Sequence, residues 1–126
     1  MKNIITILAL LISISAFSQS NQELLSHYQK YYKQMQSQSD IQGVINALTH
    51  LNILSPNQAR TDTLATLYMN EGRHVEALNT IGIEKNEADS DLAVQVKAFS
   101  LKAINDIDQS LIHYEELFKR KPNPFI

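Results

Sequence analysis

The sequence repeats with a period of about 33 residues, and no other feature constrains the fold as strongly. Two alignment columns hold apolar or small residues in three successive units: Val44, Ala77 and Ser110, then Leu48, Ile81 and Tyr114. Within each unit, apolar residues recur at three- and four-residue steps, the spacing of one face of an α-helix. No segment alternates with period two for long enough to indicate a strand. We therefore predict an all-α fold of about three helix-turn-helix repeats, at residues 25–57, 58–90 and 91–123.

Local signals mark the ends of the six predicted helices. Ser39 and Asp106 each stand three residues before a glutamine, which is the capping-box spacing at a helix start. Gly72 is expected to close the third helix in the left-handed conformation. Ser90 or Asp89 is expected to cap the fifth helix. The sixth helix is predicted from a stripe of apolar residues at helical spacing: Ile107, Leu111, Tyr114 and Phe118.

The second repeat carries a more specific pattern, formed by Leu64, Ala65, Tyr68, Gly72, Ala77, Leu78 and Ile81. On these residues the chain resembles the tetratricopeptide repeat family. The physical need is for small side chains where two helices touch closely, which Ala65 with Ala77 and Ala98 with Ser110 supply. Tyr32 stands where the family has a small residue, so the first repeat matches least. The resemblance implies a right-handed solenoid, while a HEAT-like or other helical-hairpin repeat stays open because the period is slightly shorter than the family's usual one.

The resemblance also implies protein or peptide binding along a concave side, lined by the first helix of each repeat. Carried over by position, the candidate groove residues are Gln29, Lys33, Asp62, Thr66, Asn70, Gln95, Phe99 and Lys102. The lysine and asparagine pattern of a carboxylate clamp is absent from the sequence, so a chaperone-tail receptor is not implied. The fifth helix carries a second apolar stripe, formed by Leu92, Val96, Phe99 and Ala103. Burial of this stripe by neighbouring helices is favoured over an exposed binding surface.

Residues 1–18 are predicted to be a secretory signal peptide. A short positive start precedes the uncharged apolar run at residues 4–17, and Ala16, Phe17 and Ser18 then give the small-x-small cleavage pattern. As a helix this run would reach about 21 Å, less than the roughly 30 Å hydrocarbon core, so a retained anchor is the weaker alternative. We expect cleavage after Ser18 or Ser20 and a helical-repeat domain at residues 19–126. That domain is expected in the bacterial periplasm or outside the cell, without stable membrane insertion.

Composition and motifs give no support for a catalytic, metal-binding or nucleic-acid-binding site. The absence of cysteine excludes a disulfide scaffold, a thiol nucleophile and a thiolate zinc site, and a formal charge of -2 gives no footprint for nucleic acid. No nucleophile elbow, phosphate loop or His-Glu-x-x-His motif occurs in the sequence. His113 and Glu116 are interpreted as a surface pair rather than metal ligands, and the basic residues at 119–121 as complements to a helix dipole. We expect no catalytic residue, no cofactor and no metal.

The last residues, Pro122 to Ile126, read as the opening of a fourth repeat. Tyr114, Leu117 and Phe118 of the third repeat would then lack the polar helix that normally shields the end of a solenoid. We expect either truncation at the C-terminus or self-association through this uncapped repeat. Two functions follow: an exported, non-catalytic scaffold for a protein or peptide partner, or the N-terminal docking or regulatory region of a larger exported enzyme.

Overall fold

The computed structural model describes the backbone of residues 2–121 and the side chains of residues 20–121. Within this range the fold is all-α, as predicted, and contains no strand. Its helices are α1 (Lys2–Ser37), α2 (Ile41–Leu54), α3 (Gln58–Asn70), α4 (His74–Ile81), α5 (Asp91–Ala103) and α6 (Ile107–Arg120). The side chains of the predicted signal peptide, residues 1–18, and the apparent start of a fourth repeat, residues 122–126, lie outside the described residues.

The turns between paired helices repeat their geometry at the period found in the sequence. Ser39, Gly72 and Asn105 occupy the same position in successive repeats and have φ angles of 54°, 76° and 68°. In each turn the next residue's amide reaches back to a carbonyl five residues earlier, as Arg73 does to Tyr68 at 2.8 Å. This bond closes the preceding helix in a Schellman motif. The expected left-handed role of Gly72 is confirmed.

The helix caps agree with the sequence except at α2. The carboxylates of Asp40 and Asp106 accept hydrogen bonds from the amides three residues on, at 3.0 and 3.4 Å. The Ser90 hydroxyl caps α5 in the same way at 3.0 Å. The expectation that Ser39 caps α2 is wrong by one residue, because Ser39 takes the left-handed conformation that closes α1.

Substitutions at two equivalent turn positions should change stability in opposite directions. Gly72→Ala should lower the free energy of unfolding by about 1–2 kcal/mol, because a Cβ crowds the backbone in the left-handed conformation. Nothing lies within 4 Å of that Cβ, so backbone strain is the whole cost. Asn105→Gly should raise the free energy of unfolding, since it removes the same strain one repeat later. Urea denaturation measures both, and two changes of the same sign would contradict this view of the turns.

The chain divides into two compact units, residues 1–55 and 56–126. In the first unit α1 and α2 pack as a helical hairpin, and α2 buries Val44, Ile45, Ala47, Leu48 and Leu51. The close approach of these helices is at Gly43, where a Cβ would lie 2.6 Å from Met35 Cγ. The small residue at the helix contact of this hairpin is therefore Gly43, one position before Val44, the residue aligned with Ala77. Tyr32, which is aligned with Ala65, is half-buried.

The second unit contains α3, α4, α5 and α6, and α5 contacts each of the other three. Ala65, Ala77 and Val96 are fully buried in one cluster, so α5 packs where α3 and α4 approach each other. The Ser110 hydroxyl donates a hydrogen bond of 3.1 Å to the Ala98 carbonyl, which brings α6 close to α5. The predicted small-residue contacts are therefore found in both hairpins of this unit.

Candidate functional site

An open apolar groove of about 480 Å³ lies between α5 and α6. Its lining consists of Phe99, Lys102, Ile107, Ser110, Leu111, Tyr114 and Phe118. Leu111 exposes 52% of its surface and Ile107 exposes 45%. Several large apolar side chains in one exposed concavity are typical of surfaces that bind another molecule.

The groove exists because most of the apolar stripe of α6 lies beside the face that packs inward. One face, formed by Ser110, His113 and Leu117, is buried. Ser110 is small enough for α6 to approach α5 closely, so this face packs inward. The larger residues of the stripe from which the helix was predicted, Leu111 among them, are left on the outside. Leu117, expected to lack a shield, is instead buried.

Aromatic rings form one wall of the groove. The ring centroids of Phe99 and Tyr114 lie 5.7 Å apart with their planes tilted by 45°. Burial raises the pKa of the Tyr114 phenol above its ordinary value. Lys102 supplies the one charge in the lining that the structure describes. The groove is thus apolar, with a single ammonium group in its described lining.

The predicted burial of the second apolar stripe of α5 is confirmed only in part. Val96 is fully buried against α3 and α4, as the favoured interpretation of the second stripe predicts. Leu92 and Ala103 of the same stripe are exposed, and Phe99 is half-buried in the groove. Burial by neighbours therefore explains Val96 and does not explain the ends of the stripe.

Of the predicted groove residues, Phe99 and Lys102 lie together in the α5–α6 groove, and Gln95 is half-buried on α5. Gln29 and Lys33 are exposed on α1 of the first unit, and Asn70 is exposed at the end of α3. Their common concave surface stays a prediction. The α6 residues of the groove are not among the predicted site residues. Their signal in the sequence is a large apolar stripe next to Ser110, the small residue at the helix contact.

Asp62 and Thr66 make contacts inside the second unit. Asp62 is buried, and its carboxylate accepts hydrogen bonds from the Ser90 hydroxyl at 2.7 Å and from the Gln58 amide at 2.9 Å. The Thr66 hydroxyl donates to the Asp62 carbonyl oxygen at 2.8 Å. Asp62 thus fixes the N-terminus of α5 against α3, which is a structural role for a residue predicted to bind a partner.

The connection between α4 and α5, residues 82–90, is held by buried polar side chains. The Lys97 ammonium is 2.6 Å from the Asp89 carboxylate and 2.8 Å from the Glu84 carbonyl, and the residue is only 3% exposed. His113 Nε2 donates to the Ile83 carbonyl at 2.7 Å. A concavity of about 800 Å³ borders this connection and includes Lys97 in its wall. Because its ammonium already has two partners, we assign Lys97 to structure rather than ligand binding.

The interpretation of His113 and Glu116 as a surface pair is wrong. His113 is 1% exposed and bonds to the backbone of the α4–α5 connection. Glu116 points instead to Arg120, whose Nε lies 2.9 Å from its carboxylate, and to Lys85 at 3.5 Å. Arg120 also donates to the Asp89 carbonyl at 2.6 Å. The contacts of His113 with Ile83, of Glu116 with Lys85 and of Arg120 with Asp89 tie α6 to the α4–α5 connection.

These contacts predict a pH dependence of stability. The Arg120 guanidinium, by hydrogen bonding, holds the pKa of Glu116 below its ordinary value. The stabilisation is complete above the pKa of an unfolded glutamate, about 4.3, and is lost as the pH falls through the lowered folded value. In Glu116→Gln the free energy of unfolding, measured by urea denaturation, should therefore depend less on pH in this acid range. Exposed Glu115→Gln is the matched control, and equal pH profiles for wild type and Glu116→Gln would contradict the assignment.

No protein-family model matches the sequence, and neither a curated protein nor a solved structure matches it. In the part of the chain that the structure describes, no three histidine, aspartate or glutamate side chains are grouped so as to hold a metal ion. Among the same residues no helix is long and apolar enough to cross a membrane.

Proposed function

We propose that this chain is an exported, non-catalytic helical-repeat scaffold that binds a protein or peptide through the α5–α6 groove. The observation that carries the proposal is the exposed apolar lining, in which Leu111 and Ile107 stand beside the Phe99–Tyr114 wall. Removal of apolar surface from water is the main favourable term in most protein association, and a few buried residues carry most of the binding free energy. Exposed aliphatic and aromatic side chains in a concave surface are suited to that role. The partner class is therefore a segment with apolar side chains.

The same proposal includes a right-handed solenoid of the tetratricopeptide type. It is supported by the left-handed turns at Ser39, Gly72 and Asn105, and by the buried contact of Ala65 with Ala77. In such a solenoid each helix pair packs on the next and leaves an extended surface for binding. Export rests on the apolar run at residues 4–17 and on the cleavage pattern that follows it. We place the mature protein in the bacterial periplasm or outside the cell.

A photo-crosslinking amino acid at position 111 tests this function in the source cells. We expect a discrete adduct in the exported fraction, because residue 111 lies in the groove and is exposed. The matched control places the same group at Val75 of α4, which is 58% exposed and outside the groove. Ile107→Glu should abolish the adduct by placing a charge in the apolar lining. Adducts of equal yield from positions 111 and 75, or none from position 111, would contradict the proposal.

A further inference from the structure

The α5–α6 groove is the repeat equivalent of a surface that a helix already covers. In the second unit Val96 of α5 packs on the α3–α4 hairpin, beside Ala77, Met69 and Ile81. The equivalent residues of the next repeat, about 33 positions later in the sequence, are Ser110, Lys102 and Tyr114 in the same order. All three line the groove. The chain thus contains its own example of what binds this kind of surface, namely an amphipathic helix with a branched aliphatic residue at its centre.

We propose that the partner inserts an amphipathic α-helix into the α5–α6 groove, stacked there as α5 is stacked on α3 and α4. This inference rests on the proposed function and specifies the shape and chemistry of the bound segment. It continues an interface present in the structure, since α5 covers the α3–α4 surface and also forms one side of the groove. The occupant is a helix of another protein, and an extended peptide or a second copy of this chain would be a different outcome.

The differences between the two surfaces define the partner's side chains. Lys102 stands where the covered surface has Met69, and Tyr114 stands where it has Ile81. The residue that takes the place of Val96 therefore faces an ammonium and a phenol, and a carboxylate there complements both. We assign an acidic residue to this central position of the partner helix.

One helical turn further along, the groove has an apolar residue where the covered surface has a polar one. In the covered surface His74 Nδ1 lies 3.3 Å from the Ser100 hydroxyl of α5. The groove has Ile107 where that surface has His74, so the polar contact is replaced by an apolar one. A residue four positions after the central acid is then expected to be aliphatic, as Leu or Ile. The partner helix carries an acid and an aliphatic residue at i and i+4.

Stapled helices derived from α5 test this chemistry. The first probe has the sequence of residues 90–104 with Val96→Glu and Ser100→Leu, and a hydrocarbon staple joins positions 94 and 98 on the face away from residue 96. The second probe differs only by Val96→Lys. Fluorescence anisotropy with the full chain should give a Kd of about 0.1 mM or tighter for the first probe and at least about tenfold weaker binding for the second. In Lys102→Glu this preference should reverse.

Two further variants connect binding to the groove. Leu111→Glu should weaken binding of the first probe at least about tenfold by placing a charge in the lining, whereas Val75→Glu should leave it unchanged. Circular dichroism confirms that each variant keeps its helices. No binding of the first probe, binding unaffected by Leu111→Glu, or a preference that Lys102→Glu does not reverse would overturn the inference. If position 111 crosslinks to a partner while these probes fail, the proposed function stands and the helical occupant does not.

Discussion

Replacing Lys97 by methionine should lower the free energy of unfolding of the second unit by about 3–5 kcal/mol. Methionine keeps the length and most of the volume of the side chain, so the change removes little more than the charge. The Asp89 carboxylate would then lose the ammonium at 2.6 Å, and the Glu84 carbonyl would lose its donor at 2.8 Å. A buried charge without a partner costs far more than the paired charges contribute, which is why the expected effect is large.

Urea denaturation of two further variants separates this cause from loss of packing. Adding Asp89→Asn to Lys97→Met should recover part of the lost stability, because the unpaired charge is then gone. Lys102→Met, on the exposed side of the same helix, should change the free energy of unfolding by about 0.5 kcal/mol or less. If Lys97→Met cost no more than Lys102→Met, the ion pair would not hold the α4–α5 connection as described.

Replacing Ala77 by leucine should cost about 3 kcal/mol of folding free energy, the second of the large effects. Ala77 is fully buried with Ala65 and Val96 where three helices meet, and the added atoms would push α4 away from α3 or α5. Thermal or urea denaturation measures the change. Ala59→Leu, at an exposed position of α3, is the matched control and should be close to neutral. Equal stability of these two variants would contradict close packing at the repeat contact.

Helices and their ends could be predicted because their causes are local. The left-handed turn at Gly72 and the caps at Ser90 and Asp106 depend on a few neighbouring residues, all visible in the sequence. The small-residue contacts were also predictable, since close helices need small side chains at fixed offsets. At Ser39 and Asp40 two capping residues are adjacent, and Ser39 takes the positive φ that closes α1 while Asp40 caps α2.

The site could be predicted only in part because its causes are not local. Helical periodicity shows that α6 has an apolar stripe, but Ser110 decides which face turns inward, and the role of Ser110 depends on the Ala98 carbonyl of another helix. The contact between Asp62 and Ser90 likewise joins residues 28 positions apart. An exposed aspartate and an internally bonded one look alike in sequence. Phe99 and Lys102 were predicted by family position. On the α6 side, Tyr114 and Phe118 were predicted to lack a shield, but not to form a groove with them.

A single engineered thiol in the groove gives the most direct test of the central claim that a partner covers this surface after export. The chain contains no cysteine, so Leu111→Cys and Val75→Cys each introduce one reactive group, at an exposed groove position and an exposed control position. With a maleimide that does not cross the inner membrane, both should react rapidly in the purified protein. On source cells Val75→Cys should still react, while Leu111→Cys should react at least about tenfold more slowly because the partner shields it. Equal labelling of Leu111→Cys on cells and in the purified protein would contradict the account.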